Sequence, residues 1–174
     1  MFYAIKLDSN GNGAGTHVYA EEPASYPANE LPCTQSQAQT PMAYQAVNGV
    51  LVGSVLYAQS SQITLIQASA QQAEQAAISI ALASGVTASF GMSPHDWTKI
   101  VGLYAKYVAK GVALPSGYTI PDITGKAQAV TVADIENLMN VGESQIQATI
   151  AKAATLIGQI EAATSVQEVT AVGW

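Results

Sequence analysis

Ser93-Pro-His-Asp96 puts a serine, an imidazole and a carboxylate within one helical turn, the residue types of a hydrolytic triad. Nucleophilic catalysis needs such side chains to converge in space beside an oxyanion hole, and adjacent positions do not supply that convergence. The same residues spell a helix start: a serine cap, proline at the first helical position and an acid in the first turn. Capping therefore accounts for Ser93 and Asp96, and His95 is expected to face solvent. A small hydrolase built on His95 and Asp96 is the remote alternative.

Asp8, Asn10, Asn12 and Gly13 match the first half of a calcium-loop pattern, Asp-x-Asn-x-Asn-Gly. That pattern requires a bidentate glutamate at its twelfth position, where this chain has Tyr19. A hairpin turn that uses asparagine's tolerance of positive φ explains the same residues. Gly11, Gly13 and Gly15 precede strand-like sequence, so no helix N-terminus is available to hold a pyrophosphate. Gly125-Lys126 lacks the Ser/Thr and the earlier glycine of a P-loop. His17, His95 and Cys33 are too scattered for a zinc site. No metal, catalytic group or cofactor is expected. Lys99, Lys106 and Lys110 fall on similar sides of one helix with Trp97, Tyr104 and Tyr107 among them. A solvated lysine face above core and rim aromatics is one reading of this cluster. The other makes it the candidate protein-binding face, suited to an acidic partner surface.

These residues need elements to hold them. Phe2–Leu7, the turn Asp8–Gly13 and Thr16–Ala20 read as one hairpin, and Tyr44–Val47, Asn48-Gly49 and Val50–Val52 as a second with a type I′ turn. Between them Pro23, Pro27 and Pro32 mark an irregular segment, and Thr34-Gln-Ser-Gln37 caps a short helix that Pro41 stops. From Ser60 the pattern is helical: Ile63, Ile66, Ala70, Ala73, Ala77 and Ile80 alternate steps of three and four until Gly85. A second helix runs from Ser93 to Gly111. Leu114–Pro121 reads as a crossing loop with Tyr118 and Ile120 pinned on the core. Thr131-Val-Ala-Asp134 is a capping box, after which Ile135, Met139, Gly142, Ile146, Thr149, Ala153, Leu156, Ile160 and Ala163 form one long stripe. Ser165-Val-Gln-Glu168 caps a last short turn. The fold class expected is α+β: a small N-terminal β-hairpin module over residues 1–55, then an antiparallel helical bundle of three main helices over residues 56–174.

Composition narrows the partners. An apolar fraction of 49% argues against disorder, while only 10% of residues are charged, well under the roughly 25% of ordinary domains. All six basic residues are lysine and the net charge is −6. Counterion release then has the wrong sign for nucleic acid, and the side chain best suited to phosphate forks is missing. Between Leu31 and His95 the only formal charge is Glu74. Such an amide- and hydroxyl-coated surface needs little charge desolvation to meet another protein, or to self-associate into a homo-oligomer; an Ala/Gln-rich solvated helix is the bland alternative. The longest apolar run, Ala76–Ala83, is far short of the roughly 20 residues that span a bilayer, so no membrane partner is expected. The lone Cys33 and the absence of a signal-peptide pattern point to a soluble protein of a reducing cytoplasm.

Asp122-Ile-Thr-Gly-Lys-Ala-Gln-Ala-Val-Thr-Val-Ala-Asp-Ile-Glu-Asn-Leu138 and the closing segment Ile157–Trp174 resemble a C-terminal helical domain of uncharacterised function in bacteriophage tail and tail-fibre-assembly proteins. Ser60-Ser-Gln-Ile-Thr-Leu-Ile-Gln67 is similar to that family's serine-rich helix start. Leu31-Pro-Cys-Thr34 and Val47-Asn-Gly49 look like the leader modules of small phage tail proteins. The family's usual Trp before the helix cap is missing, and Val86–Tyr118 looks like an insertion. The resemblance implies a non-enzymatic, chaperone-like viral protein that assists tail-fibre folding and assembly through protein–protein contacts. Its partner would be a tail-fibre or other tail protein, met in the host cytoplasm or retained in the virion tail. A permanent structural or receptor-binding component of the fibre or baseplate is the alternative. The family supplies no catalytic residue to carry over.

Overall fold

The structure, a computed structural model, describes residues 1–174. Packing divides the chain into two compact units, Met1–Ile66 with Leu156–Trp174, and Gln67–Thr155. The protein is mixed α+β, as its sequence predicts: small antiparallel sheets together with five α-helices.

In the first unit β1 (Phe2–Leu7) pairs with β2 (Gly13–Tyr19) in the register Ala4 opposite His17. The segment read as irregular contains a third strand, β3 (Glu30–Cys33), on the other side of β1. Pro32 is tolerated there because β3 is an outer strand, where a missing N–H need not break a ladder. α1 (Gln35–Gln39) carries the expected capping box, with Thr34 and Gln37 bonded reciprocally. Pro41 then opens a single 3₁₀ turn, Pro41–Ala43. β4 (Tyr44–Val47) and β5 (Val50–Gly53) form the second hairpin, and φ is 52° at Asn48 and 77° at Gly49, as a type I′ turn requires. α2 (Val55–Glu74) starts five residues before Ser60, because Ser54 accepts the Tyr57 N–H and caps it.

In the second unit the helix expected to run on to Gly85 stops at Glu74. Ile78 and Ile80 instead lie in β6 (Ile78–Ala81), paired with β7 (Thr87–Phe90). The physical reason is local: Ile78-Ser-Ile-Ala81 alternates buried and exposed with period two, and Gly85 at φ +83° reverses the chain rather than ending a helix. α3 (Pro94–Leu103) has the Ser93 cap and Pro94 at its first position. It continues as a π-helical turn, Tyr104–Ala109, before Gly111 at φ +63° ends it. The crossing loop contains β8 (Thr119–Pro121), which pairs with β9 (Ala127–Ala129); Tyr118 and Ile120 do pack on the core. α4 (Val132–Ala162) is the long helix. Its Asp134 accepts the Thr131 N–H at 2.8 Å and the Thr131 hydroxyl at 2.7 Å, completing the capping box. A third bond from the Ala83 N–H, 2.8 Å, ties the β6–β7 loop to this helix start. The core gathers Ile78, Ile80, Phe90, Met92, Ile100, Tyr107, Ile135 and Leu138 from hairpin and helices together. Gln145 closes the end of α2 by donating to the carbonyls of Ala73 and Ala76.

One loop geometry recurs three times. At Asp8, Leu82 and Asp122 the N–H bonds to the carbonyl four residues on, and a glycine at the third following position takes φ between 80° and 83°. This is the three-residue hairpin loop with a left-handed glycine. In two copies the first residue is aspartate, and its Oδ1 also accepts the N–H groups two and four residues on.

The end of α4 and α5 (Val166–Ala171) belong to the first unit, where Ile5, Ile66, Ile160 and Val169 are fully buried. The last carbonyls of a helix have no partner within it. Here Gln59 on α2 serves them, its Nε2 lying 3.0 Å from the Ile160 oxygen and 3.1 Å from that of Ala163. Ser165 and Glu168 form the expected capping box of α5.

Candidate functional site

The face nominated from the sequence is divided by depth. Tyr107 is buried and Tyr104 packs against the core, with Lys106 Nζ 4.9 Å above the Tyr107 ring. Trp97 packs against the same core, its ring above Gly142. Lys99, Lys106 and Lys110 are exposed, and Lys99 lies 3.8 Å from Asp96. The aromatic members thus hold the core and the lysines coat the surface. Beside them a cleft of about 100 Å³, lined by Phe90, Ile100, Leu103 and Ile120 with Asp96 and Lys99 at its rim, has room for one small apolar group.

Of the triad residue types, Ser93 and Asp96 meet as a helix cap, without His95 between them. Ser93 donates its hydroxyl proton to Asp96 at 2.6 Å and accepts the Asp96 N–H, while His95 is exposed. Asp8 likewise spends its Oδ1 on the N–H groups of Asn10 and Asn12, which is turn geometry. No three His, Cys, Asp or Glu side chains gather as metal ligands.

Sequence reasoning missed two constellations, both in the first unit. The first is a polar network over Ala4. His17 and Tyr19 from β2 and Glu30 from β3 share one face of the sheet with the fully buried Ala4 between their strands. A methyl is small enough for Glu30 to reach across β1. It accepts the Tyr19 hydroxyl at 2.5 Å and meets His17 Nδ1 at 3.1 Å. Tyr19 and then His17 hold the Glu30 carboxyl below its usual range, and the same bond pushes the Tyr19 phenol up to about 12. Nothing in the spacing of residues 17, 19 and 30 announces this, because β1 intervenes only in the fold.

The second is a groove along the start of α2. Ser54 caps that helix, so Leu56 and Tyr57 stand in its first turn, 71% and 41% exposed. Met42, 63% exposed, comes from the 3₁₀ turn after Pro41. That turn sits directly on Gly13: a side chain there would strike the Pro41 carbonyl, so glycine is required for the approach. On one side of Tyr57 is a hollow of about 450 Å³, lined by Asp8, Asn12, Gly13, Ala14, Met42 and Leu56. On its other side lies a hollow of about 280 Å³ floored by Tyr44, Gly53, Ala58 and Val166. Gly53 admits Val166, whose Cγ2 would lie 3.0 Å from a Cβ placed there. Ser54 and Tyr57 line both hollows and so stand between them.

No protein-family model matches this chain, and no curated protein or solved structure matches it. Of the residues lining the groove only Asp8 carries a formal charge. The Asn12 N–H, helped by that of Asn10, holds its carboxyl below the usual aspartate range, so it is ionised at neutral pH. The groove offers methionine, leucine and tyrosine surface, small residues that let a backbone approach, and one anion. Apolar anchors with sparse polar groups are what a protein partner's side chains bind best.

Proposed function

We propose that this protein is a non-enzymatic binding protein that works through protein–protein contacts, and that its client is a bacteriophage tail-fibre or other tail protein whose folding and assembly it assists. The observation that supports the contact is the exposed set Met42, Leu56 and Tyr57 around a groove with a single formal charge. Burying such a surface removes apolar area from water with almost no charge to desolvate. A groove of this kind can cover apolar surface on a fibre subunit until trimerisation hides it, which keeps an assembly intermediate from aggregating. The resemblance of Asp122–Leu138 and Ile157–Trp174 to phage tail proteins supplies the client class.

Co-expression tests it. A fibre subunit should give more soluble trimer with this protein than without it, and the double variant Leu56→Ser, Tyr57→Ser should lose that gain while keeping its own circular dichroism spectrum. An unchanged trimer yield with and without the protein refutes the assembly role. Mass spectrometry of purified particles then separates a transient chaperone from a retained tail component.

A further inference from the structure

Asp8 is turned to account twice. Its Oδ1 accepts the N–H groups of Asn10 and Asn12 at 2.8 and 2.9 Å, which closes the hairpin loop. Its Oδ2 accepts the Asn12 side-chain amide at a long 3.4 Å, and a carboxylate oxygen has two lone pairs, so it keeps acceptor capacity for another group. The carboxylate is exposed and lines the larger hollow beside Tyr57. A lone anion at one end of an otherwise uncharged apolar groove selects its occupant by charge complementarity.

We infer that this groove takes an extended segment of a partner protein bearing apolar side chains for the Met42, Leu56 and Tyr57 surface and a lysine or arginine that meets Asp8 Oδ2. The inference rests on the groove being the protein-contact surface, and it specifies the partner's chemistry. An acidic segment would bring like charge to Asp8, and nucleic acid would do so along its whole length. A second copy of this chain carries a net charge of −6 and is the less complementary occupant. An exposed ion pair contributes little binding strength, so the cation sets orientation and choice while the apolar contacts hold the segment.

A random peptide library selected on the immobilised full-length protein tests this. Peptides retained by the wild type should be apolar and enriched about two- to fivefold in Lys and Arg over Asp and Glu, the scale of an exposed ion pair. Asp8→Asn keeps an amide oxygen for the Asn10 and Asn12 N–H groups, and hence the turn, but should abolish the basic preference while still retaining apolar peptides. Molar salt should erase the preference in the wild type as well. Tyr57→Ala should retain few peptides of any charge. Apolar peptides without basic enrichment, lost on Tyr57→Ala, overturn the assignment to Asp8 and leave the groove as the contact surface. Equal retention by wild type and Tyr57→Ala, including no retention by either, overturns the groove itself.

Discussion

Gly142 and Gly158 lie in the same helix and differ in what stands beside them. A Cβ at Gly142 would come within 2.9 Å of Met92 Cε and 3.0 Å of Trp97 Cη2, and closer still to the neighbouring ring carbon of Trp97. A Cβ at Gly158 meets nothing within 4 Å. Replacing a helix-interior glycine with alanine gains about 1 kcal/mol from backbone entropy and propensity. Overpacking a filled core costs about 1–3 kcal/mol. Gly158→Ala should therefore stabilise by about 1 kcal/mol, raising Tm by about 2–4 °C for a chain of this size. Gly142→Ala should lower it by a similar amount, the net of roughly −1 kcal/mol being the overpacking less the propensity gain. The propensity contribution cancels in the difference between the two variants, which isolates the contact with Trp97 and Met92. Thermal unfolding followed by circular dichroism measures both. Near-ultraviolet circular dichroism should change at Trp97 in Gly142→Ala alone, and Trp97→Leu should recover part of the loss by making room. Equal upward shifts of Tm in the two single variants would show that the ring does not sit over Gly142, and the packing of α3 on α4 would need redrawing.

Asp122 is pulled down from 3.8 to about 2, first by the Thr124 hydroxyl and next by the Gln128 amide. A depressed folded value stabilises above the unfolded one, so the β8–β9 hairpin should hold at pH 5 and loosen as the pH falls through that window; an Asp122 carboxyl titrating at an ordinary value by NMR refutes the turn geometry. Tyr19 runs the other way: raised from 10.0 to about 12 by its bond to Glu30, it contributes stability that is complete below pH 10 and lost as the pH climbs to 12. Phenolate absorbance should show that late ionisation, and Glu30→Gln should return it toward 10; a wild-type tyrosine titration complete by pH 11 contradicts the network. Asp134→Ala removes the reciprocal half of the Thr131 capping box and the bond to the exposed Ala83 N–H, costing about 1–2 kcal/mol. Hydrogen exchange at the Ala83 amide should accelerate, and unchanged protection there refutes the tie between loop and helix.

The residues that could be read without the fold are those whose partners lie within a turn. Thr34 with Gln37, Ser93 with Asp96, Thr131 with Asp134 and Ser165 with Glu168 each close a cap inside four residues, and all four stand where the sequence places them. The Asn48-Gly49 turn is equally local. Even the stripe from Ile135 to Ala163 was legible, since a helix carries its own periodicity and every member proves buried or half-buried. The composition changes near residue 55, whereas packing changes at Ile66 and again at Leu156. Composition reports what each segment is made of, not which distant segment covers it.

Tertiary structure decided the rest. Ile78 and Ile80 fit the tail of a three-and-four helical pattern and also a period-two strand; the ladder to Ala88 and Phe90 chose the strand. The sequence leaves Trp97 open to both a core and a contact reading; only the fold seats its ring over Gly142. Glu30 reaches His17 and Tyr19 only because Ala4 between them is small. The groove draws on Asp8, Met42, Tyr57 and Val166, four places in the chain that share no motif. Short-range hydrogen bonding and periodicity are properties of a segment, and so they are written in order along it. A surface made by the meeting of segments exists only once the chain has packed.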